Sequence, residues 1–203
     1  MNHIELLESK EACFDAVEWA SNYPNFESAW NACHRGDWML WVAAELGADK
    51  RKLTLAKGRC AETVIHLMKD ERSVAAVKAS IAYGNGKISE QQLKNAYAAA
   101  AAAADDAADA AYAACAAYVA ADADADAYAA YVAAYAADAA AAAYAADAAD
   151  AAAYAADAAA AAYAADAADA DAYADARKEN QQKTADICRE ILTEEVFNRL
   201  RAT

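Results

Sequence analysis

Residues 144–157 read YAADAADAAAYAAD, and a chain written in this alphabet has one regular structure open to it. Alanine has the best intrinsic helix propensity of any residue. The same composition extends over residues 96–176, which hold 54 Ala, 14 Asp, 10 Tyr, 2 Val and 1 Cys, with no Gly or Pro. A run this long overcomes the nucleation cost that defeats short helices. The sequence therefore predicts an all-α protein.

The spacing of the tyrosines constrains how such a helix is arranged. The Tyr-Ala-Ala-Asp motif recurs at Tyr135, Tyr144, Tyr154 and Tyr163, with a degenerate copy at Tyr173, in steps of nine and ten residues. At about 100° per residue these steps turn by about 180° and 280°, which scatters the tyrosines around one straight helix. An unbroken helix from Ser89 to Leu192 would also reach about 155 Å. The tract is expected instead to fold back as an antiparallel helical stalk or bundle. Breaks are expected at Asp122–Asp126 and around Asp147–Asp150, where poor helix formers of like charge crowd together. Alanine interfaces let helices approach closely, and tyrosine fills the gaps with its hydroxyl beside an aspartate three residues on. The exposed pairs Tyr144 and Asp147, Tyr154 and Asp157, and Tyr163 and Asp166 are the partner-binding candidates of this surface.

Charge is segregated along the chain. Of its 32 acidic residues 14 lie in the tract, and the other 18 match the 18 Lys and Arg found elsewhere, so the net charge of −14 belongs to the tract alone. A field of one sign repels nucleic acid and anionic membrane surfaces and favours cationic partners. No direct nucleic-acid binding is expected. Frequent aspartates also exclude an uncharged span of about 20 apolar residues. The opening Met1-Asn2-His3-Ile4-Glu5 lacks a basic n-region and an apolar core, which reads as cytoplasmic.

Outward from the tract the composition becomes ordinary. Residues 1–86 read as a compact Trp-rich helical domain, 87–176 as the Ala/Asp/Tyr region, and 177–203 as a closing amphipathic helix. Residues 11–20 form one expected helix, ending before Tyr23-Pro24. Asn25 or Ser28 starts the next, with Gly36 placed to stop it. Asp37 offers an N-cap carboxylate for a helix carrying Trp38, Leu40 and Trp41, with Gly47 past its end. Residues 48–69 show Leu53, Ala56, Cys60, Val64 and Leu67 as one apolar stripe. Asp70 or Ser73 caps a further helix ending at Tyr83-Gly84-Asn85-Gly86, the expected domain boundary. Ser89 and Gln92 form an S-x-x-Q capping box. Ile187, Ile191, Leu192, Val196 and Leu200 give the last helix an apolar face that docks on the N-terminal domain.

Chemistry finds little purchase in these residues. His3, His34 and His66 are isolated, and no metal-ligand spacing, nucleophile elbow or phosphate loop is present. No catalytic residue, metal or cofactor is expected. Five scattered cysteines read as reduced, buried thiols. Arg35 and Asp37 flank Gly36 ahead of Trp38. They either tie two helices together or form a recognition point on the compact domain.

Cys13 and Trp19, followed by Ser28-Ala-Trp-Asn-Ala-Cys-His-Arg-Gly-Asp-Trp-Met-Leu-Trp41, resemble the opening of the Imm-5-like immunity proteins. The likeness continues in Arg51–Ala56, in the Ala-rich region and in Ala185–Arg189. It implies an all-helical protein of bacteria or phages that binds and neutralises a toxin. On that reading the chain is a non-enzymatic inhibitor whose acidic helices cover a basic protein. Two alternatives stay open: a phage or mobile-element anti-defence protein that mimics nucleic-acid charge or sequesters a defence component, and a self-assembling structural module.

Overall fold

The computed structural model describes residues 2–67, 70–100, 102 and 170–202, the side chains of Leu67 and of residues 170–177 apart. The expected stalk, its breaks at Asp122–Asp126 and Asp147–Asp150, and Cys115 lie outside the described residues.

Every regular element among the described residues is helical: α1 His3–Ser9, α2 Phe14–Ala20, α3 Phe26–Ala32, α4 Gly36–Glu45, α5 Lys50–Glu62, a 3-10 turn at Ile65–Leu67, α6 Glu71–Gly84, α7 over 90–100, and α8 Ala170–Ala202. No helix among them is long and apolar enough to cross a membrane.

Capping sets most of the starts. Asn2 accepts from the backbone N–H groups of Ile4 and Glu5 at 2.9 Å, and the Glu5 carboxylate accepts from the Asn2 N–H at 3.0 Å. Asn25, Asp49 and Asp70 cap α3, α5 and α6 in the same manner. The Ser89 and Gln92 box closes as expected: the Ser89 N–H donates to Gln92 at 2.9 Å and the Gln92 N–H to Ser89 Oγ at 3.3 Å. Each such cap satisfies N–H groups that a helix start otherwise leaves open.

Three helix starts and ends depart from the sequence reading. The second helix begins at Phe14 rather than Glu11, because Glu11 takes the left-handed conformation (φ 60°) that ends α1. There the Ala12 N–H bonds the Leu7 carbonyl and the Glu11 N–H that of Glu8, both at 3.0 Å, the Schellman pattern that usually calls for glycine. Gly47 and Gly86 hold the equivalent position after α4 and α6. A left-handed residue with a Cβ costs about 1–2 kcal/mol, so Glu11→Gly should raise stability by about 0.5–1 kcal/mol, net of the freedom glycine adds to the unfolded chain. Urea unfolding checks this, and a lower midpoint would show that the Glu11 side chain holds α1 in place.

Next, Gly36 starts α4 instead of stopping α3. Cys33 is already extended, and Arg189 of α8 donates to the Cys33 carbonyl at 2.6 Å. Arg35, not Asp37, is the N-cap residue of α4, and its side chain makes no capping bond. Lastly, α5 stops at Glu62 rather than running to 69. The Thr63 hydroxyl donates to the Cys60 carbonyl at 2.7 Å, and the Thr63 and Val64 N–H groups bond three residues back, which tightens the chain into the 3-10 turn.

The core joins the two ends of the described chain. Ala185, Cys188, Leu192 and Val196 follow steps of three and four along α8 and are all fully buried, while Ile187, Ile191 and Leu200 of the expected face are partly buried against the same core. They pack on Met39, Leu40 and Ala43 of α4 and Ala56 and Cys60 of α5. The approach is close: a Cβ added to Gly36 would stand 2.5 Å from Thr184 Oγ1 and 2.7 Å from the Thr184 carbonyl carbon. Trp30 Nε1 donates to Thr193 Oγ1 at 2.9 Å. On the far side, α6 packs on α5, and α7 follows it past Gly86. Leu93 and Ala100 are buried. Tyr97, the first tyrosine of the acidic tract, shares a hydrogen bond of 2.9 Å with Ser80. The tract thus leaves the core along α7 and returns to it along α8.

Candidate functional site

A cavity of about 400 Å³ opens among α1, α2, α3 and α4. That lies within the range of small-ligand sites. Its composition follows from how four short helices meet. Each contributes one aromatic or apolar face, and helices of seven residues are too short to cover one another fully. All four tryptophans of the chain, Trp19, Trp30, Trp38 and Trp41, line it. Trp30 is buried and tied down by Thr193, while the other three are half-buried. Trp19 sits 4.7 Å from Tyr23 and 5.9 Å from Trp38, ring centre to ring centre.

The three compact-domain candidates, Arg35, Asp37 and Trp38, are brought together in this wall. Arg35 Nε donates to Asp37 Oδ1 at 2.8 Å and Nη2 to Oδ2, completing a two-pronged fork. The guanidinium also lies over the Trp38 ring at 4.6 Å from its centre. The Asp37 side chain is only 8% exposed and sits in the first turn of α4, where the helix dipole favours a carboxylate. Its hydrogen bonds hold the Arg35 proton more tightly than usual. A buried pair of this kind adds little net stability against an apolar replacement, but removing one partner leaves a stranded charge. The trio fixes the entry to α4, and it lines the cavity.

Cys33 is a second wall residue. Burial raises its thiol from the ordinary 9.0 to about 11, against the backbone hydrogen bond at Arg35 that lowers it. A folded-state value above the unfolded one means that the contribution of this group is complete below pH 9 and fades as the pH rises through about 11. Cys13, expected to be buried, is exposed at the rim because the chain has just left the Glu11 turn and α2 has only begun. Cys60 and Cys188 are buried and 3.9 Å apart in the core. Iodoacetamide should therefore modify Cys13 at least about tenfold faster than Cys33, Cys60 or Cys188, since reactivity follows exposure and thiolate content. Peptide mass mapping over time reads this order, and equal rates at Cys33 would show that the cavity wall opens.

Glu11 completes the rim. Its carboxylate has no hydrogen-bond or ion-pair partner among the described residues. His3 also lines the cavity, with Nε2 at 3.2 Å from the Ala20 carbonyl. Among the described residues no group of three or more His, Cys, Asp or Glu side chains could hold a metal ion. What the cavity offers a ligand is aromatic surface, an internally balanced ion pair and one carboxylate without a partner among the described residues.

Sequence reasoning identified the Arg35, Asp37 and Trp38 wall but not Glu11, Cys13 or His3. Glu11 carries no signal, because a Lys-Glu pair after an apolar helix does not announce a left-handed turn. Tyr144, Asp147, Tyr154, Asp157, Tyr163 and Asp166 lie outside the described residues. No protein-family model matches the chain, and neither does any curated protein or any solved structure.

Proposed function

We propose that the chain is a non-enzymatic binding protein of the immunity type, which neutralises a basic protein, a toxin, by covering it with the acidic helical surface of residues 96–176. One observation carries this reading. A core of balanced charge, built from both ends of the described chain, roots a single tract that holds the entire net charge of −14. Such an arrangement supplies a strongly negative surface on a stable base, and complementary charge speeds encounter most at low salt. The likeness of residues 28–41 to the Imm-5-like proteins supports the same role.

The test is capture of a basic protein from the host lysate at low and high salt. Intact chain is compared with a variant whose 14 tract aspartates are asparagine. Capture should weaken by at least about tenfold as salt rises through the screening range, and the asparagine variant should lose it. Equal, salt-indifferent capture by both proteins would overturn the acidic-surface reading. Truncation after Gly86 cannot serve here, because it removes Leu192 and Val196 from the core.

A further inference from the structure

We infer that the tryptophan-lined cavity is a receptor for one cationic side chain, arginine or lysine, of the basic partner, which rests on the reading of that partner as basic. Three observations converge on it. First, the wall already shows how it treats a cation: the Arg35 guanidinium lies on Trp38 at 4.6 Å, and aromatic faces attract such groups through their quadrupoles. Trp19 and Trp41 line the same space. Second, Arg35 presents no net charge to a ligand, because Asp37 cancels it through the fork. An anion would have to displace a carboxylate that is only 8% exposed. Glu11 then leaves the cavity with one uncompensated negative charge, without a partner among the described residues.

Third, Glu11, which lines the cavity, sits in a backbone turn (φ 60°) that glycine would make without strain. Strain kept at a cavity rim is the pattern of a residue retained for its side chain. The volume of about 400 Å³ suits a single long side chain, with its hydrocarbon stem against Leu7, Ala16 and Ala20. Burying that stem supplies affinity that an exposed ion pair lacks.

The experiment uses the full chain and its intrinsic fluorescence, because every tryptophan that emits lines the cavity. The probes are N-acetyl-arginine methylamide and its neutral isostere N-acetyl-citrulline methylamide, excited at the red edge of tryptophan absorption. The arginine probe should give a saturable change in the millimolar range. Citrulline, and Glu11→Gln titrated with arginine, should each bind at least about fivefold more weakly, the size expected from losing a cation–aromatic or paired-charge contact. Glu11 is exposed, so this variant tests charge without disturbing the core. Equal binding of citrulline, an unchanged Glu11→Gln, or no response at tens of millimolar arginine would each overturn the assignment. The tract variant with asparagine should respond to the probe as the intact chain does. Equal, salt-indifferent capture by both proteins with an intact probe response thus refutes the acidic surface alone, and salt-dependent capture that the asparagine variant loses, with no probe response, refutes the cavity alone.

Discussion

Gly36→Val is expected to lower stability by about 3–4 kcal/mol, at the upper end of overpacking effects. The first carbon of the new side chain would meet Thr184 Oγ1 at 2.5 Å and the Thr184 carbonyl carbon at 2.7 Å. A clash with a rotatable hydroxyl relaxes easily, but one with helix backbone does not. Helices α4 and α8 must therefore separate, and the thiol of Cys188 loses its 3.6 Å hydrogen bond to the Gly36 carbonyl. Gly47 supplies the contrast. It lies at φ +71° with nothing within 4 Å of an added Cβ, so Gly47→Ala tests conformation alone and should cost about 1 kcal/mol. Urea midpoints of the two variants separate the effects. Equal losses would show that α8 does not press on α4 at Thr184.

Leu192→Ala carries the second large effect. Leu192 is fully buried in the stripe between Cys188 and Val196. Removing its branched end loses the transfer free energy and leaves a cavity, together about 2–5 kcal/mol. The informative readout is where the loss appears. Because Leu192 shares one buried core cluster with Leu40 and Ala56, amide exchange should quicken in α4 and α5 as well as in α8. Protection retained in α4 and α5 while α8 exchanges freely would mean that the N-terminal helices form a core of their own.

What the sequence made legible was periodic or capped. The α8 stripe, the Ser89 box and the Asn25 and Asp70 caps are local patterns, in which the partner group lies within a few residues. Gly36 was misread because a helix-stopping glycine and a close-packing glycine look alike until the crossing helix is placed, and Thr184 is 148 residues away. Glu11 was misread for the opposite reason. Its turn is local, but glutamate is a poor witness to a left-handed conformation. At the candidate site, the Arg35, Asp37 and Trp38 run was visible as neighbours in sequence. The cavity they face was not, since four helices must meet before it exists.

The hydrogen bond from Trp30 to Thr193 spans 163 positions, and this separation has a consequence during synthesis. At about 5–20 residues per second, the interval between Ala100 and Thr193 lasts on the order of 5–20 s. Throughout it, the apolar faces of Leu40, Met39 and Ala56 that α8 will cover stand open on the ribosome. Meanwhile the aspartates of the tract emerge one after another, so each nascent chain gathers its negative charge before its core can close. Like charge disfavours contact between neighbouring chains on one message, in the same interval in which α8 cannot yet cover those faces.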